Sequence, residues 1–350
     1  MPDAAAPAPY DAVLVVGFGG PEGPDDVMPF LENVLRGKNV PRERMLEVAE
    51  HYDHFGGVSP LNDQVRALLA ALVASMNERG PRLPVYWGNR NWHPLLADTL
   101  AEMRDDGIGR AIALVLAAYS SYSSCRQYRE DIARAQAAVG EGAPQVDKIR
   151  VFYNHPLFVE VWTERLNAAL AKIPEPRRAA TQIVFCAHSI PAAMAGGCQY
   201  EPQLLEACRL VGEATGRTDW KLVYQSRSGP PTHPWLGPDV CDYLRELHAA
   251  KRPADVVVAP IGFLSDHMEV IYDLDTEARG LCNELGIHLV RAATPGTHPK
   301  MVEMFRQLIE ERVGDSSSSR AMGRHAIGRD GPSHDVCPED CCPSGRPTRG

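Results

Sequence analysis

The chain has 350 residues, 44% of them hydrophobic, with 36 lysines and arginines against 45 aspartates and glutamates and a net charge of -9. A chain of this length buries a substantial core and is expected to form two domains, while the acidic balance and the lack of any long basic run argue against a nucleic-acid surface. No apolar stretch reaches the roughly 20 residues that span a bilayer, MPDAAAPAPY lacks the features of a signal peptide, and nine scattered cysteines suit reduced thiols in the cytoplasm better than a disulfide framework.

Short β-rich runs alternate with amphipathic helical patterns along most of the chain. Strands are predicted at 12–17 (AVLVVG), 83–88 (LPVYWG), 111–117 (AIALVLA), 148–153 (KIRVFY), 182–188 (QIVFCAH), 220–226 (WKLVYQS), 255–263 (DVVVAPIGF) and 287–292 (IHLVRA). Between them lie helical stretches such as DDVMPFLENVL, HPLLADTLAEMR, HPLFVEVWTERLNAALAKI and HPKMVEMFRQLIEER. This alternation predicts an α/β fold of two doubly wound units, each a parallel sheet flanked by helices. The units are expected at 10–155 and 156–298, followed by a C-terminal helix at 299–314. From 315 to 350 the pattern stops, and the polar composition predicts a flexible tail that carries a cysteine cluster.

The first strand runs into GFGGPEGP, where Gly17 and Gly19 begin a G-x-G-x-x-G pattern that then fails, because Glu22 occupies the third glycine position and Pro21 interrupts the turn. No G-x-x-x-x-G-K-[ST] segment is present either. The glycines therefore read as a tight turn. Ligands of such sheets bind outside the carboxyl ends of strands, which directs attention to CAHSIP, where His188 and Ser189 end one strand, and to LSDHMEV at the end of another. Glu269, Asp273 and Glu277 follow at i, i+4 and i+8, stacking three carboxylates on one helical face with Asp266 and His267 upstream. Like charges at this spacing repel, so the row either awaits a cation or is a solvated face; His188 alone reads equally as a hydrogen-bonded core residue.

GFGGPEGP, FGGVSPLN (55–62), GNRNWHP (88–94), AHSIP (187–191), QSRSGPPTHPWLGPDV (225–240) and GFLSDHMEVIYDLD (262–275) resemble, in this order, the ferrochelatases, over roughly Tyr10 to Gly314. The resemblance implies two Rossmann-like, chelatase-type domains with a porphyrin cleft between them, and insertion of Fe(II), a substrate, into a tetrapyrrole in haem biosynthesis. By the same resemblance His188 is a catalytic base or metal holder and Glu269 its partner, with Asp273 and Glu277 passing a hydrated cation or released protons. Ser59 in FGGVSP and Tyr128 in SSCRQY fall where relatives hold the macrocycle and its propionates. Trp92 and Trp235 offer either ring surfaces or packing, and Phe18 stands where some relatives carry a metal-facing tyrosine or methionine. FLENVLRGKNVP and FGGVSPLN resemble the actinobacterial branch, which favours coproporphyrin III over protoporphyrin IX. The competing readings are a cobalt chelatase of the corrinoid or sirohaem branch and a non-catalytic haem or iron carrier. Beyond the porphyrin, the expected partners are haem-pathway proteins and a membrane surface touched peripherally, for a monomer or homodimer.

The tail carries CPEDCCPSG, with Cys337, Cys341 and Cys342 close together. Three thiolates leave a four-ligand site one short, and C-x-x-x-C-C is not a zinc-ribbon spacing, so the fourth ligand is expected from the body. Ferrochelatases of several lineages hold a [2Fe-2S] cluster on C-terminal cysteines plus one internal cysteine, which Cys198 in AGGCQYEP resembles. Zinc on the same thiolates is the alternative, and an unliganded tail is the plain one.

Overall fold

The computed structural model describes residues 10–37, 40–229, 232–313 and 323–345. Ala12–Gly17 (β1) is buried at every position, as a continuous apolar run must be when both faces of a parallel sheet are covered. Chain order continues through α1 (Pro24–Leu35), α2 (Arg42–Asp53), α3 (Leu61–Arg79), β2 (Val85–Asn89), α4 (Leu96–Asp105), β3 (Arg110–Val115), α5 (Gln127–Val139) and β4 (Gln145–Lys148). These strands form one parallel sheet in the order β2-β1-β3-β4. The second half runs α6 (Pro156–Ala171), α7 (Glu175–Arg178), β5 (Gln182–His188), α8 (Ala192–Ala195), α9 (Tyr200–Ala214), β6 (Trp220–Gln225), α10 (Val240–Lys251), β7 (Asp255–Ala259), α11 (Met268–Val270), α12 (Arg279–Leu285), β8 (His288–Arg291) and α13 (Pro299–Val313). Its sheet has the order β6-β5-β7-β8, again parallel.

The two sheets share a core. Val13, Val15, Ile112 and Leu114 of the first sheet belong to the same buried cluster as Ile183, Phe185, Val257 and Ala259 of the second, joined through Leu72, Trp162, Cys208 and Phe305 of the intervening helices. The C-terminal helix α13 packs back on α3 and α6, and Tyr119 donates a 3.0 Å hydrogen bond across to the carbonyl of Ile261. The two units therefore rest on a common, close-packed core.

Two expectations change. KIRVFY was to be a strand, yet β4 ends at Lys148; Ile149 makes one further ladder bond to Ala113 and the chain leaves the sheet. Ile149, Val151, Phe152 and Tyr153 are apolar because they are buried in the shared core, not because they pair. The tail also differs. Gly314, residues 315–322 and residues 346–350 lie outside the described residues, but 323–345, without helix or strand, is bonded along the body. Ile327 N bonds the Asn154 carbonyl at 2.9 Å, Asn154 Nδ2 bonds Gly331 O at 2.6 Å, and Tyr153 donates to Asp330 at 2.9 Å. A composition rule that weighs apolar burial misses a segment held by polar bonds.

The tail also meets the most buried ion pair. Arg150 binds Glu311 of α13 through two 2.9 Å bonds and donates at 2.8 Å to the carbonyl of His325, with side-chain exposures of 1% and 9% for the pair. Removing one charge leaves the other buried and uncompensated, which costs about 3–5 kcal/mol. Glu311→Gln is expected to lower the thermal midpoint of unfolding by several degrees, on the order that such a loss implies for a chain of this size; an unchanged midpoint in a thermal melt would contradict the assignment.

Candidate active site

β5 and β6 run in register to their carboxyl ends, where His188 lies opposite Gln225. The chain then turns away: Ser189 N bonds Gln225 O at 2.9 Å, Ser189 Oγ donates to Leu236 O at 2.8 Å, and Tyr200 donates to the His188 carbonyl at 3.0 Å. His188 Nδ1 makes a short contact with the Ser189 carbonyl. A carbonyl can only accept, so in the neutral ring the proton sits on Nδ1 and the lone pair is left on Nε2, the nitrogen on the Glu269 side. Nε2 lies 3.7 Å from Glu269 Oε2, and both side chains are partly open to solvent. His267 sits close by, its imidazole held below its ordinary value chiefly by burial.

The carboxylate row leaves β7 through a loop clamped from both units. Gln64 of α3 donates to Asp266 O at 3.2 Å and accepts from Asp266 N at 3.0 Å, while Arg291 binds Asp266 at 2.9 Å and Asp275 at 2.8 Å. The expected α-helix is instead a single α-turn, α11, that widens into a π-helix over Ile271–Ala278 before α12. The three carboxylates still influence one another, because a four-residue step returns close to the same face at either pitch. Asp273 accepts from Ser226 Oγ, a residue at φ 58, and from Gln225 Nε2 at 3.1 Å; Gln225 Nε2 also reaches the Glu269 carbonyl at 3.2 Å.

Burial pushes the Asp273 carboxyl up to about 7, helped by the charges of Glu269 and Glu277 and opposed by the hydrogen bonds from Ser226 and Gln225. Glu277 is raised by burial and by Asp239, with Arg44 of α2 opposing. Among the described residues, no lysine or arginine forms an ion pair with Glu269, Asp273 or Glu277. From the other unit, α2 closes on this helix: His51 stacks on Tyr272 with ring centres 3.7 Å apart, and the buried Tyr52 phenol is pushed up by burial and then by Glu269.

The residues expected to hold the macrocycle sit differently. Ser59 and Tyr128 are 4% and 5% exposed; the Ser59 hydroxyl lies 3.4 Å from Leu61 N, and the Arg90 guanidinium covers the Tyr128 ring at 5.0 Å. Trp92 packs edge-on against Phe30 and reaches Asp26 with its indole nitrogen, while Trp235 is half-buried beside Gly229. Phe18 is 39% exposed. Gly19, at φ 82 with Trp92 N only 2.9 Å from where a Cβ would stand, makes the tight turn that presents Phe18.

Away from the cleft the tail brings its thiols together. Cys341 and Cys342 sulfurs are 3.5 Å apart, and ligand atoms of His334, Cys337 and Cys341 lie within 4.8 Å of one another. Burial raises the thiols of Cys198 and Cys342, with the charge of Cys341 adding to the rise at both and that of Cys198 adding to it at Cys342. The residue that sequence reasoning missed is Cys125, buried on the π-turn Tyr122–Arg126. The Cys337 thiol is held down to about 7, chiefly by the neighbouring Cys125 thiol, with Lys148 and Arg129 assisting and burial opposing. A group of soft donors, one of them already biased toward thiolate, fits a thiolate-bound metal group.

The raised Asp273 carboxyl has a pH signature. Its folded value, about 7, lies above the ordinary 3.8, so the folded state binds the proton more tightly, and burial of the charged form costs stability above pH 7. That cost is relieved as pH falls from about 7 toward 4. Asp273→Asn is never charged and is expected to melt higher than the parent above pH 7, by about 2–4 kcal/mol, with the gap closing as pH falls through that window. A pH-independent gap in parallel thermal melts would contradict this electrostatic picture.

Comparison with known proteins agrees with this geometry. The sequence profile of the ferrochelatase family matches residues 10–313. A ferrochelatase of Rhodopirellula baltica is 57% identical over 335 residues, covering 95% of this chain and 93% of its own. A coproporphyrin III ferrochelatase of Streptomyces coelicolor is 51% identical over 365 residues, covering 99% and 97%. Among solved structures, SirB from Bacillus subtilis with Fe3+ superposes with a TM-score of 0.53 at 12% identity, over 88% of this chain and 97% of that one, and shares the fold. The two-sheet architecture, the strand-end histidine with its carboxylate row and the match over nearly the whole described body lead to one conclusion: the chain belongs to the ferrochelatase family.

Proposed function

We infer that this chain is a ferrochelatase that inserts Fe(II) into a porphyrin in haem biosynthesis, and that its preferred porphyrin is coproporphyrin III. The observation that carries the reading is the Nε2 lone pair of His188 facing Glu269 at the head of a carboxylate row. Insertion consumes one Fe(II) and one free-base porphyrin and releases two pyrrole N–H protons. His188 Nε2 accepts a pyrrole proton, and the carboxylate of Glu269 offsets the charge the ring then carries. Asp273, poised near neutral pH, takes up and releases protons along the row at little energetic cost, or trades them for the arriving cation. Glu277, exposed at the outer end, is where a hydrated ion first meets the row. Oxygen ligands suit such an ion before it is handed to nitrogen.

Ser59 and Tyr128 act in this reading from behind the cleft wall, supporting the rim that contacts propionates. Coproporphyrin III is supported by the names of relatives such as those of Streptomyces coelicolor and Streptomyces griseus, at 51% and 50% identity. Cytoplasmic residence is supported by nine free thiols; no helix among the described residues is long and apolar enough to cross a membrane. For the thiol group we propose a [2Fe-2S] cluster on Cys337, Cys341 and Cys342 with a fourth thiolate from the body, where both Cys198 and Cys125 lie near. Bound there, it would tie the tail to the body, since ligands distant in sequence turn binding free energy into folding free energy. Zinc on His334, Cys337 and Cys341 is the competing occupant.

His188→Ala is expected to lower turnover by about 10²–10⁴-fold while porphyrin affinity, read by fluorescence quenching, changes little. Glu269→Gln follows the same pattern, and Glu277→Gln raises the Fe(II) concentration at half-maximal rate. Near-parental turnover of His188→Ala would remove it from the chemistry. In one anaerobic assay, kcat/KM for coproporphyrin III is expected to exceed that for protoporphyrin IX by about tenfold or more, which is about 1.4 kcal/mol of differential binding; the reverse order would overturn the substrate assignment and leave the activity standing.

A further inference from the structure

We propose that the pocket between α6 and the end of β8 binds a small oxyanion of phosphate size and charge. Arg165 of α6 and Lys172 at its C-cap line one side, and Arg291, the last residue of β8, lines the other. Alanines of both segments complete the wall, and no acidic residue lines it. The cavity measures about 180 Å³, below the roughly 300–1,000 Å³ of sites that bury larger organic ligands. Cations gathered around a small space without a carboxylate suit a compact dianion, which guanidinium groups bind through charge-assisted hydrogen bonds. None of these residues takes part in the insertion proposed above, so the pocket stands apart from that reading.

The preceding turns of α6 show what a satisfied cation looks like. Glu160 and Glu164 pair with Lys300 at 2.5 and 2.6 Å, and Glu164 also meets His298 at 3.0 Å. Both carboxylates of α6 are thus engaged, and among the described residues Arg165 and Lys172 have no ion pair. Arg165 donates from Nη2 to the Pro295 carbonyl at 3.0 Å, while its Nε is buried and finds no acceptor among the described residues. A buried donor left unpaired is costly, and an anion in the pocket would supply the acceptor.

Arg291 adds the third charge. Its Nε binds Asp275 at 2.8 Å, and its Nη1 and Nη2 bind Asp266 at 2.9 and 3.2 Å, which leaves part of the five-donor guanidinium free. The ordinary reading of Lys172 is a cation that offsets the carbonyl end of α6. That reading accounts for one charge and leaves the buried Nε of Arg165 and the acid-free wall unexplained. Because Arg291 also holds Asp266 and Asp275, an occupant of the pocket would share a cation with the loop ahead of the carboxylate row.

The test is isothermal titration of the full chain with inorganic phosphate, in a chloride medium of constant ionic strength. A single saturable site is expected, and Arg165→Gln and Lys172→Gln are each expected to weaken it about tenfold or more, as the loss of a charge-assisted contact implies. No saturable heat in the parent, or an isotherm that neither replacement changes, would overturn the site. Glycerol 3-phosphate is expected to bind less tightly, because one oxygen is taken by the ester bond; tighter binding would overturn the assignment to the free ion. A second measurement needs no variant. Acetylation of lysines by acetic anhydride, mapped by peptide mass spectrometry, is expected to slow at Lys172 when phosphate is present and to stay unchanged at the exposed Lys221. Equal rates at Lys172 with and without phosphate would contradict the assignment.

Discussion

The site is organised around an electrostatic debt: three carboxylates stand in one row at the carboxyl end of the second sheet, and among the described residues no lysine or arginine forms an ion pair with them. In the unliganded chain this is tolerated by two devices. Ser226 and Gln225 donate to the middle carboxylate, and that carboxyl is shifted to where it holds its proton near neutral pH. On the proposed reading the second device lapses when a cation arrives, because a divalent ion makes the charged form favourable again. The same helix shows no such restraint on its other side, where Arg291 pairs with both Asp266 and Asp275. Charge is neutralised where the helix meets the body and left unneutralised where it meets the cleft.

The strand ends of the second sheet set where the row begins. The register that places His188 opposite Gln225 puts the imidazole and the amide that restrains Asp273 one strand apart. Gln225 thus touches three parts of the site: its carbonyl accepts from Ser189 N, and its side-chain amide reaches the Glu269 carbonyl and the Asp273 carboxylate. The first unit closes the arrangement through the Gln64 clamp on Asp266 and the stack of His51 on Tyr272. A common core joins the two sheets, so both units are parts of one close-packed body.

Much of this was legible in the residues. Continuous apolar runs such as AVLVVG and QIVFCAH mark buried parallel strands, and the i, i+4, i+8 spacing of the acidic residues places them on one face whether the helix is α or π. The π-helix itself left no trace, because periodicity reports a face and not a pitch. KIRVFY misled because burial between helices demands the same apolar residues as pairing in a sheet. Ser226 at positive φ and the Gln225 amide were invisible for a different reason: their roles depend on partners far away in sequence. Cys125 was counted only among nine scattered cysteines, although SSCRQYR, with arginines one and four residues beyond the thiol, carried the signal that something acidic or carbonyl-rich docks there. Ser59 and Tyr128, expected at the macrocycle surface, are buried instead, because motif position does not tell a wall residue from the layer behind it.

The claim on which the account stands is that the row exchanges protons for a cation. Mn(II), a hard ion that prefers oxygen ligands to thiols, isolates the row from the tail. Binding of Mn(II) to the porphyrin-free chain, followed by the loss of the free-ion EPR signal while proton release is titrated in weakly buffered solution, measures the exchange directly. The account predicts release of about one proton per ion bound at pH 6, where Asp273, with its carboxyl near 7, is mostly protonated, and loss of that release in Asp273→Asn. Mn(II) binding without proton release at that pH, or release unchanged in the variant, would contradict it.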